Sequence, residues 1–131
     1  MKNYVYYSIK SSVFIGNIAD SSDGGAIYVD NVKILQIDSC QFIDNYAEKN
    51  GGAISTNCNS GSFDCTLNII GTNVFTSNYA NVSGGAVFWD DVEPIIDRIE
   101  RQKFSGNEAR IYADNIASFP AKMIAMNESE Y

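Results

Sequence analysis

The sequence predicts an all-β protein, a right-handed parallel β-helix (solenoid) of about four coils with about 30 residues per coil. A Phe-x-x-Asn-x-Ala motif occurs four times, with its phenylalanines 28, 33 and 29 residues apart. Gly-Gly-Ala followed by Ile or Val comes after each of the first three copies. No window keeps the i, i+3, i+4, i+7 apolar spacing of an amphipathic helix, whereas short apolar segments separated by Asn, Asp, Ser and Gly are typical of solenoid coils.

Equivalent residues of stacked coils should form columns, because neighbouring strands lie about 4.8 Å apart. The phenylalanines are predicted to fill the core, and the isoleucines found five residues before each of them are predicted to line the adjoining sheet. These two columns are Phe14, Phe42, Phe75 and Phe104, and Ile9, Ile37, Ile70 and Ile99.

The motif asparagines are predicted to lie at a turn, because an Asn side chain tolerates left-handed backbone geometry. Each amide can also donate to the Asn one coil along, which would satisfy a buried polar group. The glycine pairs predict a corner that a Cβ would obstruct. The residues concerned are Asn17, Asn45, Asn78 and Asn107, and Gly24, Gly25, Gly51, Gly52, Gly84 and Gly85.

The repeats define one domain over residues 1–120, followed by a C-terminal tail or linker at 121–131. Its fourth copy has lost the glycine pair, as expected of a terminal repeat whose outer face must change. Residues 1–13 lack the apolar core of a signal peptide, and no stretch approaches the ~20 apolar residues of a membrane helix. We therefore expect a piece of a longer protein, with one chain of an assembly as the alternative. The expected coils span about 6–33, 34–66, 67–95 and 96–119.

Cys58 and Cys65 enclose a Gly/Ser-rich insertion, a pattern that in a secreted protein predicts a disulfide. A zinc site of four Cys and His ligands within one chain is excluded, because the chain has no histidine and only one further cysteine. That cysteine, Cys40, is predicted to be a buried structural thiol. No cofactor or metal is expected. Calcium at Asp20 and Asp23 stays open, although their spacing is not that of a calcium loop and favours a hydrated turn.

Two Asn-x-Ser sequons predict N-glycosylation at Asn81, in the loop before a glycine pair, and at Asn127 in the tail. Tyr28, Ser55 and Phe88 each follow the Ile/Val of a Gly-Gly-Ala segment, so their side chains should face outward. An outward aromatic ring could bind sugar rings or a protein partner.

The combination of Phe-x-x-Asn with Gly-Gly-Ala-(Ile/Val) resembles the repeat of chlamydial polymorphic outer-membrane proteins and of large ciliate surface proteins with a pectin-lyase-like fold. The segment 114–120 also resembles the way such arrays end in the ciliate proteins. The resemblance extends from Tyr6 to about Pro120. It implies an extracellular β-helix at the cell surface, in a ciliary or other surface appendage, used for adhesion or display. These motifs are specific to the fold and to no activity.

The charge and composition of the chain exclude several classes of partner and of catalytic mechanism. A net charge of −7 and a pI near 4.3 argue against nucleic acid and anionic membranes as partners, and no membrane insertion is expected. Because the chain has no histidine, it cannot form a Ser-His-Asp catalytic triad or a Cys-His catalytic dyad. Asp90 and Asp91 are adjacent in a predicted strand, so their side chains point to opposite faces and do not form a catalytic pair. We therefore expect no enzyme activity.

The function that these observations favour is a non-catalytic structural or adhesive β-helix, part of a larger surface protein or of a filament. Both ends of a short coil stack expose strand edges. The expected partners are therefore other protein chains or copies of this one, joined end to end or laterally. A glycan- or receptor-binding module is the first alternative, and a polysaccharide-cleaving enzyme is the second.

Overall fold

The computed structural model describes residues 6–58, 65–90 and 92–118. Within them the chain forms 16 short strands and one 3-10 helix, arranged as four stacked coils. Coil one contains β1 (Tyr6–Lys10), β2 (Val13–Ile15), β3 (Ile18–Ala19) and β4 (Ile27–Asp30). Coil two contains β5 (Ile34–Asp38), β6 (Gln41–Ile43), β7 (Tyr46–Ala47) and β8 (Ile54–Asn57). Coil three contains β9 (Thr66–Ile70), β10 (Val74–Thr76), β11 (Tyr79–Ala80) and β12 (Val87–Trp89). Coil four contains β13 (Ile95–Ile96), the 3-10 helix (Ile99–Arg101), β14 (Lys103–Ser105), β15 (Glu108–Ala109) and β16 (Ile116–Ala117).

Each strand pairs in parallel with the equivalent strand of the next coil, which gives four sheets of four strands each. The prediction of an all-β parallel solenoid of about four coils is confirmed. Coils begin at β1, β5, β9 and β13, within a residue of the predicted coil starts. The predicted tail, 121–131, lies outside the described residues.

The phenylalanine column runs through the whole stack. Phe14, Phe42, Phe75 and Phe104 pair in register across β2, β6, β10 and β14. Successive rings are stacked nearly parallel, at interplanar angles of 4°, 6° and 8°, with centroids 4.9, 5.0 and 5.1 Å apart. Each such aromatic pair contributes about 0.5–1.5 kcal/mol beyond its burial. The column therefore stabilises the stacking of coils directly.

The predicted isoleucine column is wrong at two positions. Ile9 and Ile37 pair as expected, but the next members are Ile69 and Ile96. Ile70 instead pairs with Asp38, and Ile99 lies in the 3-10 helix with 52% of its surface exposed. Counting back from the phenylalanine fails because the turn after β9 is one residue longer than the turn after β5, and the turn after β13 holds a helix.

The asparagine column forms a continuous hydrogen-bonded ladder. The backbone N–H and the Nδ2 of Asn17 both donate to Oδ1 of Asn45, each at 3.0 Å. Asn45 donates in the same way to Asn78, and Asn78 to Asn107, at 2.9–3.0 Å. The inner amides also donate backward to the preceding phenylalanine carbonyl, as Asn78 Nδ2 does to Phe42 at 2.9 Å. Asn45 and Asn78 are thereby buried with their polar atoms satisfied.

The asparagine was predicted to adopt the left-handed backbone conformation of this turn, but the residue before it does so instead. Gly16, Asp44, Ser77 and Gly106 have φ of 67°, 55°, 55° and 67°. The turn is thus made one residue early, and it directs the following asparagine side chain into the ladder. Glycine, Asp and Ser share this position because they tolerate positive φ or bond locally to the backbone.

The glycine pair has two separate tasks. Its first residue adopts positive φ, at 69°, 69° and 66° in Gly24, Gly51 and Gly84. Its second residue lies against the next coil: a Cβ on Gly52 would stand 2.1 Å from the carbonyl oxygen of Gly85. The predicted corner is therefore also a point where consecutive coils approach too closely for a side chain.

Candidate functional site

The first surface of interest is the outer edge of coil one, formed by β1–β4, which we call the first-coil face. In coil two, the amides of Gln41 and Tyr46 donate to the carbonyls of Ser12 and Asn17 in coil one. The equivalent amides of coil one belong to Val13 and Ile18. They point outward along the axis and have no partner among the described residues. The same holds for Oδ1 of Asn17, whose counterparts on Asn45, Asn78 and Asn107 each accept two hydrogen bonds.

Apolar side chains are also left exposed along coil one. Val13, Ile15 and Ile18 are 53%, 60% and 67% exposed. Phe14 is only half-buried, whereas Phe42 and Phe75 in the same column are fully buried. The first-coil face thus offers strand edges, an aromatic ring and an amide acceptor at once.

The opposite edge, formed by β13–β16, is the last-coil face, and it is built differently. The pairing of β16 with β12 places Ala113, Asp114 and Asn115 where the previous coil has Gly-Gly-Ala. The Ala109 amide donates to Oδ1 of Asp114 at 3.0 Å. Nδ2 of Asn107 donates to Oδ1 of Asn115 at 3.2 Å. Polar groups that would face a following coil are thus bonded within the last coil itself.

Asp114 also closes this face sterically. At Gly25, Gly52 and Gly85 a Cβ would lie 2.1–2.2 Å from a carbonyl oxygen of the following coil. Asp114 occupies the equivalent position and carries a Cβ, so a further coil could not stack on it in the same geometry. The loss of glycine here is evident from the sequence, whereas these hydrogen bonds are not.

A third feature is a depression on the outer side of β4, β8 and β12, with a volume of about 180 Å³. Tyr28, 51% exposed, stands at its rim. Ser55 and Phe88 were predicted to face outward, but they are only 1% and 4% exposed, and both line this depression. The other lining residues are Asp23, Asn50, Thr56, Asn57 and Asp90.

The walls of the depression are held by hydrogen bonds between coils. Oδ1 of Asp23 accepts the backbone amide and Nδ2 of Asn50 at 2.9 and 3.2 Å. Oδ1 of Asp30 accepts Nδ2 of Asn57, and Oδ1 of Asp90 accepts the Cys58 amide, both at 2.9 Å. In the described ranges, no three His, Cys, Asp or Glu side chains lie close enough together to hold a metal ion.

Burial raises the pKa of the Tyr28 phenol above its ordinary value of 10.0, and the carboxylates of Asp30, Asp23 and Asp90 raise it further. A hydrogen bond with Asn57 opposes part of this shift. A raised pKa in the folded state stabilises the fold below the unfolded-state pKa, and that stability is lost as pH rises through the folded-state value.

We therefore expect Tyr28→Phe to lose less stability than the wild type between pH 9 and pH 11, values that bracket the ordinary tyrosine pKa of about 10. Urea denaturation at both pH values, followed by circular dichroism, measures the difference. The other tyrosines titrate in both proteins, so their contribution cancels in the comparison. Equal losses in the two proteins would contradict the assignment.

A second polar column was only partly evident in the sequence. Two residues before the phenylalanine, the Cys40 amide donates to Oδ1 of Asn73, and Asn73 donates to Oε1 of Gln102 at 2.9 Å. Cys40 is a buried free thiol, as predicted. The signal was a recurrent small or polar residue at this position, but its changing identity concealed a ladder.

Cys58 and Cys65 form a disulfide with their Cα atoms 5.9 Å apart. It closes a loop whose residues 59–64 lie outside the described ranges. Replacing both cysteines with serine should lower the free energy of unfolding by about 2–3 kcal/mol, because a closed loop of this length restricts the unfolded chain. Denaturant unfolding with and without reductant measures this: the wild type should respond to reductant, and the double variant should not. A wild type that is insensitive to reductant would contradict the prediction.

The two sequons differ in how far the structure describes them. Asn81 is half-buried, and its Nδ2 donates to Oε1 of Glu48 at 3.4 Å. Ser83 of the same sequon is buried and donates to Asn50. A glycan on Asn81 would have to replace the bond to Glu48, so modification there stays a prediction. Asn127 lies outside the described residues. So does Asp91, which was predicted not to form a catalytic pair with Asp90.

Two segments of the chain match the repeat of a known protein family. The Chlamydia polymorphic membrane protein repeat matches residues 11–30 and 39–57, which together make up less than half of the chain. Each matched segment starts just before the phenylalanine strand and ends in the strand after Gly-Gly-Ala, so the two matches fall on equivalent parts of coils one and two. The chain is a β-helix repeat protein that resembles these Chlamydia proteins. The match indicates a surface- or outer-membrane-associated protein.

No curated protein and no solved structure matches the chain. Among the residues that the structure describes, no helix is long and apolar enough to cross a membrane.

Proposed function

We propose that this protein is a non-catalytic structural or adhesive extracellular β-helix, part of a larger surface protein or of a filamentous assembly. Its task is to hold a rigid, regular stack that carries or displays other parts of the surface protein. The observation that supports this most is the combination of an unbroken asparagine ladder with a repeat match to a membrane-protein family of Chlamydia.

Mechanical continuity is what this arrangement provides. Every coil is tied to the next by parallel strand pairing in four sheets, by stacked phenylalanine rings and by amide ladders. A ladder whose inner members are buried and satisfied makes the stack rigid and fixes its register. Such an object transmits force and position along its axis, which suits a stalk or display scaffold.

Immunolabelling of intact source cells tests the proposal. Antibodies raised against the folded domain should label cells without permeabilisation, and the pattern should show whether the protein lies on a cilium, another appendage or the general surface. A control antibody against a cytoplasmic protein should label only after permeabilisation. Labelling of this protein only in permeabilised cells would refute a surface role.

A second candidate function is glycan binding in the depression beside Tyr28. An exposed ring at the rim of a polar depression is the arrangement in which aromatic stacking and amide or carboxylate hydrogen bonds recognise a sugar. Asn50 and Asn57 supply amides there, and Asp23 supplies a carboxylate.

Tyr28→Ala should then reduce retention on an immobilised glycan by about tenfold or more, equivalent to about 1.4 kcal/mol. Tyr7→Ala is the matched control, because Tyr7 is equally exposed, at 53%, in the same coil but does not line the depression. Screening a glycan array with the wild type and both variants measures this. Equal loss with both variants, or no glycan retained by the wild type, would rule out this function.

A further inference from the structure

The two faces of the stack are not equivalent, and the difference determines what can join each of them. We propose that the first-coil face is a joining surface whose occupant is an uncapped coil of the same repeat, stacked in parallel as the preceding turn of the solenoid. The last-coil face joins no coil and ends the array. This inference rests on the proposed scaffold function, because it specifies how the scaffold continues.

The direction of the asparagine ladder defines the occupant. Each asparagine donates toward the next coil and accepts from the one before, so Asn17 presents an acceptor, Oδ1, to any partner on the first-coil face. A coil that carries the same motif brings a backbone N–H and an Nδ2 to that oxygen. A second copy docked face to face would instead bring acceptor against acceptor.

Shape excludes a second copy in the other orientation. Head-to-tail stacking would place the last-coil face of one copy on the first-coil face of another. The Asp114 Cβ would then stand where only glycine leaves room for the neighbouring carbonyl, since the corresponding distance is 2.1–2.2 Å in the three glycine positions. Its carboxylate is moreover engaged by the Ala109 amide. An occupant must therefore end in glycine at this position.

The apolar column agrees with this occupant. The ring of Phe14 is covered on one side by Phe42, at a centroid distance of 4.9 Å, and is half-buried overall. A phenylalanine of a preceding coil would continue the stack at the same spacing. Val13 and Ile15, both more than half exposed, would gain the strand partner that Gln41 and Ile43 already have.

The proposal can be tested by giving the chain an open last coil. The donor carries Ala113→Gly, Asp114→Gly and Asn115→Ala, which restores Gly-Gly-Ala, together with Val13→Pro, which removes an outward amide and blocks its own first-coil face. The acceptor is the wild-type protein. Sedimentation velocity of the mixture should show a 1:1 complex of about twice the 14.4 kDa chain mass.

Two controls isolate the surfaces. An acceptor that carries Val13→Pro should not bind the donor, and a capped donor with Val13→Pro alone should not bind the wild type. A second donor, Asp114→Gly with Val13→Pro, keeps the test valid if the fuller variant does not fold, which circular dichroism would reveal.

Absence of a complex between a folded donor and the wild type would overturn the proposal. So would association of the wild type with itself that Val13→Pro abolishes, because a second copy would then be the occupant. The outcome is independent of cell labelling: a surface protein that fails here keeps its proposed function and loses only this mode of joining.

Discussion

Gly52→Ala should disrupt the fold severely. The new Cβ would lie 2.1 Å from the Gly85 carbonyl oxygen and 2.7 Å from both the nitrogen and the oxygen of Tyr79. All three atoms belong to the backbone of the next coil, so coils two and three would have to separate. We expect a loss above about 4 kcal/mol, which is comparable with the whole stability of a small domain.

Gly16→Ala is the matched control for this prediction. Gly16, unlike Gly52, has positive φ, 67°, and a Cβ there would meet no atom within 4 Å. Its cost should be limited to the left-handed backbone, about 1–2 kcal/mol. Thermal unfolding of both variants by circular dichroism measures the difference. Similar melting temperatures for the two would show that the coils do not approach each other as closely as described.

Asn78→Ala should have the second large effect. The side chain of Asn78 accepts two hydrogen bonds from Asn45 and donates to Asn107 and to the Phe42 carbonyl. Its removal leaves the buried amide groups of Asn45 without an acceptor. An unsatisfied buried polar group costs about 1–3 kcal/mol, so several together should cost about 4 kcal/mol or more.

Asn17→Ala tests the same chemistry at the end of the ladder. Asn17 is exposed, and its side chain makes one bond, from Nδ2 to Asn45. The expected cost is about 1 kcal/mol, because water can replace this bond. The free energies of unfolding of the two variants, measured by denaturant unfolding, should therefore differ by roughly 3 kcal/mol. Equal costs at both positions would mean that the ladder is not a cooperative, buried element.

The parts of the fold that could be predicted from the sequence are those carried by motifs of constant spacing. Phe42 and Asn45 stand three residues apart in every copy, so their columns could be identified without coordinates. The prediction that Ile70 and Ile99 belong to the isoleucine column was wrong, because turns between sheets vary in length and counting across them loses the register. Regular spacing is therefore informative within a motif and unreliable across a turn.

The candidate surfaces were harder to predict because they depend on how coils meet. The loss of the glycine pair indicated a terminal repeat, but only the coordinates show that Asp114 and Asn115 bond to their own coil. Phe88 follows the strand alternation that places it outward, yet it is buried and lines a depression. Strand periodicity assigns a side chain to one face of a sheet, but it does not determine what covers that face.

Amide hydrogen exchange of the unmodified protein, followed residue by residue by NMR, tests the central claim most directly. The claim is that a ladder-bonded stack has an open first face and a closed last face. Slow exchange is predicted at Asn45 and Asn78, whose amides are bonded within the ladder, and at Ala109, whose edge amide is held by Asp114. Fast exchange is predicted at Val13 and Ile18. Fast exchange at Ala109, or protection at Val13 and Ile18 equal to that at Asn78, would contradict the account.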